Sequence, residues 1–119
     1  MKRVQETKEI ITVKLQAPHH EIHELGECSA KTWKEMASLG MYSSIPKEGE
    51  ARLFMEKVRK GINQVLALPG PSLIVAHGGV HWALCCLMSI NTHDWALNNC
   101  GVVHFSIGTQ EEWIATKLI

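Results

Sequence analysis

The triplet His77-Gly78-Gly79 follows the run Ser72-Leu73-Ile74-Val75-Ala76 and precedes a second apolar stretch, Val80 to Met88. Two glycines let backbone approach a ligand closely. A helix starting near Val80 would present unpaired amide N–H groups and the positive end of its dipole. A histidine at the carboxyl end of a buried strand stands where open α/β sheets bind ligands. A phosphate or carboxylate suits that place; the plainer alternative is a tight strand–helix turn with a structural histidine. Arg3 can form a two-pronged clamp on phosphate oxygens, or be a solvated surface residue. Glu27, in Leu25-Gly26-Glu27-Cys28-Ser29, is a carboxylate in an uncharged stretch. Such a group can serve as a general acid, although most isolated glutamates simply face water.

Two further groups carry less. His19, His20 and His23 with Cys28 offer imidazoles and a thiol to zinc, but their spacing matches no zinc module and the loop provides no second shell. No metal is expected. His81 lies four positions after His77. It would share a helical face with His77 if the helix starts early, and it reads as a buried, satisfied histidine rather than a pocket lining.

These residues need elements to hold them. Apolar Val4, Ile11 and Leu15 predict a helix over 3–15, and Thr32 to Leu39 a short one ended by Gly40. Residues 16–28 read as irregular, and 43–49 as a loop. Ala51, Phe54, Met55, Val58, Ile62, Val65 and Leu66 recur at helical spacing until Pro69-Gly70-Pro71. Ser72 to Ala76 lacks alternation, which predicts a strand buried on both faces. Val80 to Met88 is apolar almost all round and predicts a buried helix. Gly101 to Ile107 and Glu111 to Ile119 alternate like strands about a turn at Gly108-Thr109-Gln110. The expected class is α/β, in a single domain over 1–119.

Composition limits the partners. The 119 residues hold twelve basic and twelve acidic side chains, so no bulk charge draws nucleic acid or acidic membranes. An anion site must therefore be local. No apolar run is long enough for a membrane-spanning helix, and the first residues lack a signal-peptide core. Cys28, Cys85, Cys86 and Cys100 form no C-x-x-C pair and are expected as free thiols in a reducing cytoplasm.

Taken in order, the motifs resemble the histidine phosphatase superfamily, the phosphoglycerate mutase-like fold. Arg3-Val4-Gln5-Glu6-Thr7 is similar to the family's Arg-containing segment at the head of a helix. Leu25-x-Glu27 resembles its Leu-x-Glu, and Trp33 falls where its later aromatic lies. Gly49-Glu50-Ala51 resembles Gly-Glu-Ser, with Ala in place of Ser. Leu73 to Val80 resembles the second histidine motif, and Asn99-Cys100-Gly101-Val102 the segment before the last strands. The resemblance implies a three-layer fold: a mostly parallel sheet flanked by helices, with a C-terminal strand pair. It implies Arg3 as a phosphate clamp, His77 as the second histidine, Glu27 as the acid, and backbone near Gly78 holding phosphate. The substrate would be a phosphate monoester, with no cofactor.

The chain departs from the family in one large respect. Its arginines are Arg3, Arg52 and Arg59, and none precedes a histidine, so the nucleophilic Arg-His-Gly motif is absent. The expectation is a domain that begins after that segment. Lys31 and Glu35 also replace the glycines usual after the acid. Three readings follow: a phosphomonoesterase impaired as given, a non-catalytic phosphate-binding or oligomerising module, or an inactive remnant. A missing strand would leave a sheet edge unpaired and favour a homo-oligomer.

Overall fold

Helix α1 (Ala30–Ser38) opens on a side-chain cap. The Ser29 hydroxyl accepts the Thr32 N–H at 3.1 Å and donates to the Thr32 hydroxyl at 3.0 Å, which satisfies an orphan donor of the first turn. In this computed structural model the described residues are 6, 18, 20–38, 46–90 and 101–118. The expected helix over 3–15 lies outside them apart from Glu6, which is helical.

Helix α2 (Glu50–Leu66) is the centre of the core. Ala51, Phe54, Met55, Val58, Ile62 and Val65 are all buried, as their spacing predicts, whereas Leu66, the last of the series, is 56% exposed. A short 3-10 turn, His23–Leu25, seats Leu25 over Gly61, where an added Cβ would lie 2.7 Å from the leucine side chain. Gly49, at φ 94°, brings the start of α2 against α1, and there the Glu35 carboxylate accepts the Ala51 N–H at 3.3 Å. Glu35, one of the departures from the family pattern, thus caps the next helix.

Helix α3 (Gly78–Leu87) buries Val80, Trp82, Ala83, Leu84, Cys85 and Cys86, so the all-round apolar pattern does read as a buried helix. It packs on α2 in one continuous core. Trp82 meets Trp33 of α1 edge to face, with ring centroids 4.9 Å apart. The helix ends in paired bonds from Ile90 N–H to Cys85 O at 2.9 Å and from Ser89 N–H to Cys86 O at 3.3 Å, with Ser89 left-handed at φ 56°.

Strands β1 (Val103–Ile107) and β2 (Trp113–Lys117) form an antiparallel hairpin, with Val103 opposite Lys117 and Ile107 opposite Trp113. The strand pair is as expected, but the loop is longer, running over 108–112. Glu111 takes a left-handed φ of 61°, and Gly108 N–H bonds to Glu112 O at 2.8 Å.

The expected strand at Ser72 to Ala76 is not formed. Residues 71–77 lie outside regular structure, Leu73 is 64% exposed, and Ile74 and Ala76 only lean on the core. A strand is defined by its hydrogen-bonded neighbour, and among the described residues none runs beside this segment. The only sheet among them is the antiparallel hairpin, so the described residues form a small α/β unit with helices α1 to α3 and two strands, and no parallel pair is among them. No helix among the described residues is long and apolar enough to cross a membrane.

Candidate functional site

His77 is the residue before α3, with extended backbone at φ −107° and ψ 166°. Its carbonyl accepts the N–H of Val80 at 3.1 Å and of His81 at 3.3 Å. That starts the helix and leaves the first-turn amides of Gly78 and Gly79 without an intrahelical acceptor. The His77 side chain turns inward, 9% exposed, and its Nδ1 lies 3.3 Å from Glu27 Oε2. Nε2 is buried and has no hydrogen-bond partner among the described residues. A carboxylate beside Nδ1 favours a proton on that nitrogen. When both nitrogens carry protons, the Nε2–H is a donor in search of an anion.

Glu27 is held from both sides. The 3-10 turn closes just before it, with Gly26 N–H bonded to His23 O at 3.0 Å, and the Ser29 cap of α1 follows. Its own Oε1 accepts the Cys28 N–H at 2.9 Å. One carboxylate oxygen is thus anchored to backbone and the other faces His77. Gly79 comes close enough that an added Cβ would lie 2.8 Å from Glu27 Oε1 and 2.9 Å from Cys28 Sγ. Gly78 is exposed, and a Cβ there would meet nothing within 4 Å.

Burial first, and then the neighbouring Glu27 carboxylate, push the Cys28 thiol up to about 11. It remains a neutral thiol at physiological pH. Glu27 and Cys28 also line a cleft of about 230 Å³ with Thr32, Leu53, Phe54 and Lys57.

The structure therefore brings His77, Gly78 and Glu27 together, while Arg3 lies outside the described residues. The His81 side chain is engaged within α3 and with the hairpin. Its Nε2 is 3.7 Å from Cys85 Sγ, its ring is 6.1 Å from that of Phe105, and burial lowers its pKa. The ring contact joins α3 to the hairpin. His20 and His23 are exposed, His19 is outside the described residues, and no group of three metal-binding side chains forms among those described. Sequence reasoning missed the close approach of Gly79 to the Glu27 carboxylate. The second glycine of His77-Gly78-Gly79 was the available signal, since a helix start with open space needs no such residue.

Among the described residues, His77 Nε2 has no hydrogen-bond partner, and it belongs to the residue that starts α3, beside the Glu27 carboxylate. Residues 1–118 match the family model of the histidine phosphatase superfamily, branch 1. The chain belongs to that superfamily. Comparison with curated proteins and with solved structures gives no match.

Proposed function

We propose that this domain binds the phosphoryl group of phosphate monoesters at the start of α3, and that in the 119 residues as they stand it turns them over poorly or not at all. The carrying observation is His77 Nε2, buried beside the helix start with no partner among the described residues. A phosphate oxygen placed there would accept Nε2–H and the Gly78 amide. Both bonds would be charge-assisted, and the helix dipole would add to them. Arg3 supplies a two-pronged clamp in this reading. In this reading Glu27, after taking up a proton from water, gives that proton to the leaving alcohol oxygen.

Covalent transfer needs a nucleophile that attacks phosphorus as the alcohol departs. The family assigns this to the histidine of Arg-His-Gly, which the sequence does not contain. Removing one member of a coupled catalytic unit commonly removes most of its rate advantage. With an Arg-His-Gly strand supplied, residues 72–76 become the second strand of a mostly parallel sheet, and the domain becomes a phosphatase or phosphomutase. No cofactor enters this chemistry.

A second reading is favoured by residues 72–76, which have no strand partner among the described residues and where Leu73 is 64% exposed. An apolar stretch of this kind invites pairing with a second copy of the chain. A phosphate-binding, oligomerising module needs no turnover. Light scattering over a wide concentration range tests it, and a clean monomer throughout removes it.

The test of the primary reading is thermal melting with inorganic phosphate against chloride at matched ionic strength. At ten times the dissociation constant, phosphate adds about 1.4 kcal/mol, a rise of roughly 5 °C for a domain of this size. His77→Ala should abolish the rise. Hydrolysis of an aryl phosphate is expected to stay at background. A melting point indifferent to phosphate refutes the site, and turnover abolished by His77→Ala refutes the impairment.

A further inference from the structure

Gly79 sits on the helical turn that faces the acid, yet its backbone makes no demand for glycine. It lies inside α3, and its φ is not among the positive values of the described residues. Any residue could take that conformation, and alanine would favour the helix. What glycine provides is room. An added Cβ would meet Glu27 Oε1 at 2.8 Å and Cys28 Sγ at 2.9 Å, with Phe54 Cζ behind at 3.7 Å. The two close atoms are side-chain ends, so a methyl group would displace the carboxylate and thiol rather than the backbone. Phe54, 6% exposed, closes the retreat on its own side.

We propose that Gly79 is a positioning residue, whose missing side chain lets the Glu27 carboxylate lie against His77 Nδ1. The proposal rests on reading Glu27 and His77 as the acid and the phosphate-facing histidine. Gly79 acts through Glu27 and touches no substrate itself. The carboxylate is gripped by the Cys28 N–H on one oxygen and held to within 3.3 Å of His77 by the other. The added methyl would meet Oε1, the oxygen gripped by the Cys28 N–H, so the carboxylate must turn as a whole and Oε2 leaves His77 with it.

The experiment follows the imidazole nitrogens of His77 by 15N NMR, without phosphate, at a pH where the ring is neutral. The wild-type chain should carry the proton on Nδ1, and Glu27→Ala should shift it toward Nε2. Gly79→Ala is expected to raise the ratio of Nε2–H to Nδ1–H by roughly tenfold, as the carboxylate charge 3.3 Å from Nδ1 moves away. Gly79→Ala added to Glu27→Ala should move it no further. A folded Gly79→Ala with the wild-type ratio overturns the proposal, and so does an effect that adds in full to that of Glu27→Ala. Should Gly79→Ala alone fail to fold, the same substitution in a Glu27→Ala/Cys28→Ala background decides. There it should fold and melt higher than its background, and failure there overturns the proposal. Phosphate-dependent melting judges the phosphate site separately, so a chain that ignores phosphate can still show the Gly79 effect.

Discussion

Removing the Phe54 ring tests the packing that supports the candidate site. Phe54 is 6% exposed, lies in the core that α2 shares with α3, and stands behind Gly79. Phe→Ala in a core costs about 3–5 kcal/mol, combining lost transfer free energy with a cavity contribution. The cleft of about 230 Å³ is lined by this same ring, so the space left by truncation would open into it and admit water. That weakens the cavity contribution, and the lower end, about 3 kcal/mol, is expected for Phe54→Ala. In urea, with a slope of about 1.5 kcal/mol/M, the midpoint should fall by about 2 M. Phe54→Leu keeps part of the volume and should lose roughly half as much. Val58, fully buried, is the comparison. Val58→Ala removes two methyl-sized groups at about 0.8 kcal/mol each plus a cavity contribution, so about 2 kcal/mol in all. A Phe54→Ala loss under about 1 kcal/mol would refute the reasoning, since no well-buried aromatic is lost so lightly.

Other outcomes follow from single contacts. Glu35→Ala removes the acceptor for Ala51 N–H and should cost about 1 kcal/mol in melting experiments, while Glu35→Gln, which keeps an acceptor, should cost less. Ser89→Gly relieves the left-handed backbone at φ 56° and should raise stability by about 0.5–1 kcal/mol by the same assay. Cys28, pushed up to about 11, should react with iodoacetamide at pH 8 roughly 100-fold more slowly than an ordinary thiol. The sign for stability follows: the unfolded thiol ionises first, near 9, so this contribution is intact below that pH and lost as pH rises toward 11. Alkylation of Cys28 at the rate of a free thiol would show that Glu27 and burial do not act on it.

The three helices were legible because each announces itself locally. The apolar spacing of α2 and the unbroken apolarity of α3 are properties of short windows, and they predict which residues are buried. The hairpin was legible by alternation, though its loop closes on a left-handed Glu111 rather than on the glycine. The His77-Gly78-Gly79 block marked the helix start.

Other features depend on partners far along the chain. Ser72 to Ala76 has the composition of a buried strand, yet strand formation belongs to a pair, and no described segment lies beside it. Glu27 and His77 stand fifty positions apart in the sequence, and only the packing of the 3-10 turn on α2, and of α2 on α3, brings them to 3.3 Å. The same packing makes a glycine at 79 a matter of space for a carboxylate and turns Glu35 into a helix cap. Periodicity and residue chemistry, being local, were carried by the sequence alone. Which side chains meet was decided by the tertiary structure, because a contact is set by the closure of the chain between its two ends.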